Sequence, residues 1–118
     1  MTRRAQFAIE FDYDVGGTTL RLCGELDALS VPAFAATLAA IHERGARFVT
    51  IDLSDLRFCN VGGLRAMTEL AARLHARDGT VRIIDPGILM RMLDIVDLRS
   101  LFVLEDEEGC LHSLPRGA

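Results

Sequence analysis

Not one lysine occurs in this chain of 118 residues; all 13 basic residues are arginines, dispersed along the chain rather than gathered into a stripe. Against 17 acidic residues they leave a net charge of -4. A phosphate backbone finds no footprint here, which argues against nucleic acid as a partner. Cysteine is scarce as well. Cys23, Cys59 and Cys110 stand far apart without a Cys-x-x-Cys pair, and their odd number argues against a disulfide framework or a zinc site. They read as small hydrophobes, with a redox role for Cys59 as a minor alternative because it lies beside the loop described below. Of three histidines, His42 and His75 fall near the ends of expected helices, where the dipole favours a cation, and His112 lies in the tail. No apolar run stays uncharged for the length of a bilayer span, and none follows Met1-Thr2-Arg3-Arg4-Ala5-Gln6 as a secretory signal would require. No direct membrane insertion and a cytoplasmic location are therefore expected. There is also no Gly-x-x-x-x-Gly-Lys cradle, metal-ligand cluster or nucleophile with a base partner, so no cofactor is expected and an enzyme or nucleotide-binding domain is the least favoured class.

What the chain does have is apolar content: 50% hydrophobic residues and a mean hydropathy of +0.25. Residues 1–118 suffice for one domain with its own core, and the surplus suggests apolar surface left for a protein partner. Phe7 to Tyr13 alternates apolar and polar residues and runs into Gly16-Gly17, and Thr18 to Leu22 resumes as a strand before Gly24-Glu25-Leu26-Asp27; an antiparallel hairpin is expected. Ser30 and Pro32 open a helix with Val31, Phe34, Leu38 and Ile41 on one face, closed by Gly45. Phe48 to Leu53 is nearly continuous in apolar residues, which predicts a central strand buried on both faces.

Ser54 to Cys59 reads as a connection, and Asn60 as the cap of a second helix. That helix buries Leu64, Met67, Ala71 and Leu74, turns Arg65, Glu69, Arg73 and Arg77 outward, and ends at Asp78-Gly79. A strand at Val81–Asp85, a helix carrying Ile88, Leu89, Met92, Leu93 and Val96, and a strand at Leu101–Leu104 complete the pattern. The acidic segment and tail from about residue 105 are expected to be flexible. The order predicts an α/β sandwich with a mixed central sheet of four to five strands and three to four helices.

One stretch stands out. Asn60-Val61-Gly62-Gly63-Leu64 sets backbone amides at a helix N-terminus, where carboxylates and other anions are favoured. Two glycines in the first turn weaken a helix by roughly 1 kcal/mol each, which suggests a need for close backbone approach. A capped helix start packed under a neighbour is the plainer alternative.

Gly24-Glu25-Leu26-Asp27, Val49-Thr50-Ile51-Asp52-Leu53-Ser54 and Phe58-Cys59-Asn60-Val61-Gly62-Gly63-Leu64, with Ile83-Ile84 and the Ile88 to Leu98 segment, together resemble the STAS family, which includes bacterial anti-sigma factor antagonists. The resemblance extends over nearly the whole chain and implies a regulatory protein, not an enzyme, that binds an anti-sigma factor of the ATP-binding kinase type. In phosphorylatable members the loop reads Asp-Ser-Ser-Gly-Leu, with the second serine phosphorylated. On that pattern Asn60 stands at the aspartate, Val61 at the first serine, Gly62 at the phosphoacceptor and Gly63 at the following glycine. The position of Gly62 thus has no hydroxyl, and Ser54, several residues earlier, does not match it. The resemblance implies a partner-binding surface of Asp27, Asn60, Val61, Gly62, Gly63 and Arg65. A STAS subunit of a bacterial ABC-type lipid transporter is the alternative that the same resemblance allows.

Overall fold

Alternation of apolar and polar residues at the start of the chain produces a hairpin of β1 (Ala8–Asp14) and β2 (Gly17–Leu26), antiparallel with Ala8 opposite Cys23 and Asp14 opposite Gly17. A computed structural model of the protein describes residues 6–14, 17–96, 101–105 and 111–112. After the hairpin come α1 (Val31–Glu43), β3 (Phe48–Cys59), α2 (Val61–His75), β4 (Thr80–Ile84), α3 (Gly87–Val96), β5 (Phe102–Glu105) and a two-residue β6 (Leu111–His112). The strands form one sheet in the order β1-β2-β3-β4-β5-β6. Its central pairs, β2 to β5, are parallel and its two outer pairs antiparallel. Five strands and three helices match the expected mixed α/β sandwich, and β6 adds a short pairing in the tail. The flexibility expected from about residue 105 concerns positions that lie largely outside the described residues.

Burial in the sheet is one-sided. Leu20, Leu22 and Leu26 of β2, Val49, Ile51 and Leu53 of β3, Val81 and Ile83 of β4, and Phe102 and Leu104 of β5 are all buried and share the face covered by the helices. Phe34, Leu38 and Ile41 of α1, Met67, Leu70 and Leu74 of α2, and Leu89 and Leu93 of α3 close over them. Burying each such side chain contributes about 1.5–3 kcal/mol, so this layer contact is the main source of stability.

The opposite face corrects the reading of β3 as buried on both sides. Thr50 and Asp52 are only half-buried, while Ser54, Asp55, Arg57 and Phe58 are exposed. Parallel crossovers in simple sequential order put every helix on one side. The other side is a polar surface on which Arg21 reaches Asp52 at 3.7 Å and Asp55 at 3.9 Å, and Arg82 reaches Glu105 at 3.9 Å.

β3 is also longer than expected. Ser54 to Cys59 is strand, not connection, because β2 supplies ladder partners as far as Leu26 opposite Cys59. Register shifts between Arg21 and Cys23, and again between Gly24 and Glu25, absorb the polar residues that break the alternation. Arg77 departs from its expected outward position too. Its guanidinium folds over the end of α1 and donates to the carbonyls of His42 at 3.2 Å and Ala46 at 3.3 Å, with a further contact to His42 Nε2 at 2.6 Å. Among the described residues no helix is long and apolar enough to cross a membrane.

Candidate functional site

The parallel strands β2 and β3 end side by side, and their last residues carry the two loops of interest. Asn60 donates its backbone amide to the Leu26 carbonyl at 3.0 Å, which locks the entrance of α2 to the end of β2. The turn from β2 into α1 therefore lies against that entrance.

Asp27 organises this turn. Its Oδ1 accepts the amides of Leu29 at 3.1 Å and Ser30 at 3.2 Å, and the Ser30 hydroxyl lies 3.1 Å away. Ser30 occupies the N-cap position of α1, yet its side chain makes no cap bond to the helix. The hydroxyl is turned back to the Glu25 carbonyl at 2.9 Å, so the cap expected from Ser30 is replaced by a turn that Asp27 holds. Asp27 is a structural residue of the site as well as part of its half-buried surface.

At the second loop the expected cap is present. Asn60 is extended, with φ -87 and ψ 178, and its side-chain oxygen accepts the Gly63 amide at 2.8 Å, while its carbonyl accepts the Leu64 amide at 3.2 Å. Among the described residues the amides of Val61 and Gly62 have no such acceptor. No acidic residue occupies the first turn, so the positive end of the α2 dipole is uncompensated within the helix.

The two glycines serve different ends. A β-carbon at Gly63 would sit 2.6 Å from Leu26 Cδ2 and 2.9 Å from Cys59 Sγ, so only glycine lets the helix close on β2 and β3. At Gly62 a β-carbon would meet Asn60 Oδ1 at 3.4 Å and the Val31 methyls at 3.5 Å, ordinary contact distances. Close backbone approach, the reason expected for both, thus accounts for Gly63 alone; the packing leaves room for a serine where Gly62 stands.

The geometry lends no support to a redox role for Cys59. It is buried, its Sγ lies 3.3 Å from the Asn60 carbonyl, and burial pushes its thiol up to about 12, against an opposing contribution from the Leu64 amide. A thiol held protonated is a poor nucleophile at neutral pH. Cys23, on the polar face, is likewise raised, by burial first and then by Glu10 and Asp55. Ser54 sits on that same face with its hydroxyl bonded to Asp52 Oδ1 at 2.5 Å, roughly 20 Å along β3 from the helix entrance at Asn60 at the usual strand rise. Among the described residues no group of three or more metal-ligating side chains is assembled.

The structure brings Asp27, Asn60, Val61, Gly62 and Gly63 together at one end of the sheet, with the exposed Arg65 one turn further along α2. Among the described residues Arg65 pairs with no carboxylate. Val61, already part of the expected surface, is exposed at the first position of α2, whereas Leu29, 83% exposed in the Asp27 turn, and the groove beside it escaped the reading of the sequence. That groove, of about 530 Å³, opens beside Asp27, lined by the apolar Phe7, Leu29 and Ala33 and the polar Gln6 and Glu25. An apolar leucine within a polar turn was the one signal available for it.

Comparison with curated proteins by sequence returned no match. Several solved structures share the fold. An anti-sigma factor antagonist from Mycobacterium paratuberculosis superposes with a TM-score of 0.71 at 22% identity, over 84% of this chain and 85% of that one. The Bacillus cell fate determinant SpoIIAA in its phosphorylated form gives 0.68 at 23% identity, over 87% and 94%. The STAS domain of an antisigma-factor antagonist from Rhodobacter sphaeroides gives 0.51 at 25% identity, over 65% and 84%. The sequence profile of the family described as Mlab, STAS domain matches residues 9–105, and with that span covering both loops and the parallel strands β2 to β5, the chain belongs to the STAS family.

Proposed function

We propose that this domain is an anti-sigma factor antagonist-like regulator that acts by binding rather than by catalysis. Its docking surface is the α2 entrance at Asn60, Val61, Gly62 and Arg65, with the buried Gly63 packed beneath it, together with the Asp27 turn. Three features support the reading: the exposed apolar pair Leu29 and Val61, the uncompensated amides at the start of α2, and the likeness of the fold to structures described as anti-sigma factor antagonists. The partner fitting this description is an anti-sigma factor of the ATP-binding kinase type.

The observation that carries the proposal furthest is Gly62. The neighbour SpoIIAA has been solved in both unphosphorylated and phosphorylated forms. In this chain the residue matching the acceptor position is a glycine in a spot that would accommodate a side chain. Phosphorylation adds about -1.5 to -2 charges and releases a docked partner by repulsion and desolvation. Without a hydroxyl that switch is lost, so binding here is constitutive with respect to kinase activity and is set by abundance, a ligand or assembly into a larger complex.

Incubation with the anti-sigma kinase and ATP tests this directly. The wild-type protein should remain unphosphorylated, whereas Gly62→Ser should accept phosphate at the introduced residue; phosphate on the wild-type α2 entrance contradicts the proposal. A tagged pull-down from the native host identifies the partner class. Recovery of an anti-sigma factor supports the reading, and recovery of a transporter's nucleotide-binding subunit replaces it with the ABC-type lipid transport alternative.

A further inference from the structure

The helix-free face of the sheet carries a groove at the end opposite the two loops. Register aligns Thr19 of β2, Thr50 of β3 and Arg82 of β4 in one row across the parallel strands. The alternation that buries Thr18, Val49 and Val81 under the helices turns all three to the other side. Adjacent strands lie about 4.8 Å apart, so the row spans roughly 10 Å. The groove over it encloses about 290 Å³, with Gly17, Phe48 and Ile84 among its other lining residues.

Its two ends are apolar. Phe48 is 48% exposed, and the Arg47 guanidinium, anchored on the Asp78 carbonyl at 3.3 Å, lies 5.6 Å from its ring centroid. Ile84 closes the other end, about 13 Å further along the strands. At Gly17 a β-carbon would collide with the Phe48 carbonyl, so that margin is bare backbone. The floor between them is polar and unengaged. Thr37 and Thr68 on the helices donate their hydroxyls to carbonyls four residues back, whereas among the described residues the hydroxyls of the half-buried Thr19 and Thr50 bond to no protein group. Arg82 is the one charged residue in the lining, and its contact with Glu105, at 3.9 Å, is too long for a hydrogen bond, which leaves the donors of its fork available. Of the flanking carboxylates, Asp52 is held by Arg21 and Ser54, and Asp12 stands beyond Thr19 on β1, at the end of the row away from Arg82.

We propose that this groove binds a small aromatic monocarboxylate. The carboxylate lies against the Arg82 fork and accepts the Thr50 hydroxyl, with Thr19 one strand further on, and the ring rests on Phe48. A single arginine matches one negative charge, and the apolar ends match an uncharged body. A dianionic phosphate would leave charge unmatched beside Asp52 and Glu105, so the carboxylate is the better fit. The volume lies at the lower limit of ligand pockets, about 300–1,000 Å³, which suits a ligand of one or two rings.

The test is titration of the isotope-labelled full chain with cinnamate, followed through amide chemical shifts by NMR, with cinnamamide as the uncharged counterpart. Cinnamate should saturate with a dissociation constant of about 1 mM or tighter. It should move the amides of residues 17–19, 48–50 and 82–84 and leave those of the α2 entrance in place. Cinnamamide should bind at least about tenfold more weakly. Arg82→Gln should weaken cinnamate by a similar factor, and Thr50→Val, which keeps the side-chain shape and removes the hydroxyl, by about threefold. The comparison of acid and amide uses wild type alone, so it holds even where a variant fails to fold. Absence of saturable shifts, shifts centred elsewhere, equal binding of acid and amide, or folded Arg82→Gln and Thr50→Val chains that both bind as wild type does would each overturn the proposal.

Discussion

The Asn60 side-chain oxygen accepts the amide of Gly63 at 2.8 Å, and that hydrogen bond fixes both the start of α2 and the direction in which the amides of Val61 and Gly62 face outward. Replacing Asn60 by alanine removes the acceptor and frees a helix-terminal donor. Asn60→Ala should lower stability by about 1 kcal/mol in urea denaturation, the usual loss for an N-cap of this kind. An unchanged midpoint would mean that the cap does not hold the entrance.

The two adjacent glycines should respond in opposite ways. Gly63→Ala drives a methyl group into Leu26 and Cys59, and overpacking of this sort destabilises by roughly 1–3 kcal/mol. Gly62→Ala meets only ordinary contacts and should be neutral or slightly stabilising, because alanine is the better helix former. Equal losses in thermal melts of the two variants would contradict the assignment of Gly63 as the packing residue.

Alkaline stability should depend on Cys59. Its thiol, ordinarily near 9.0, is pushed up to about 12 in the folded protein by burial. Below pH 9.0 both folded and unfolded chains keep the proton, and the contribution is fully present. As pH rises from there toward about 12 only the unfolded chain ionises, so stability falls, by at most about 1.4 kcal/mol per pH unit from this group. Urea midpoints should drop more steeply over that window for wild type than for Cys59→Ala; parallel slopes would rule the effect out.

Arg77 ties the ends of the two helices together through the carbonyls of His42 and Ala46. Arg77→Ala removes both donors from a half-buried setting and should cost about 1–2 kcal/mol, measured by denaturation. Arg73→Ala, exposed one turn earlier on α2, is the control expected to change little.

Much of this was legible because local signals agreed with the fold. The hairpin showed in the alternation of Phe7 to Tyr13, the three helices in their apolar faces, and the cap in Asn60 ahead of a Leu64, Met67, Ala71 stripe. The failures have a common cause, which is that tertiary partners decided the outcome. Ser54 to Cys59 carries no strand signal of its own and becomes strand only because β2 runs alongside. Phe48 to Leu53 looked buried on both faces because Phe48 is apolar, whereas it is 48% exposed on the helix-free side of the sheet. Ser30 was the expected cap of α1, and its replacement by a turn that Asp27 holds rests on a geometry that spacing does not encode. Gly62 and Gly63 are identical as letters; only the positions of Leu26 and Val31 tell them apart.

The most direct test is the affinity of the captured anti-sigma factor for wild-type protein and for Gly62→Asp, measured by isothermal titration. A β-carbon at this position meets only ordinary contacts, and the carboxylate beyond it places negative charge on the proposed contact surface. The dissociation constant should rise about tenfold or more, equivalent to at least 1.4 kcal/mol. An affinity equal to that of wild type would place the partner on some other part of the molecule.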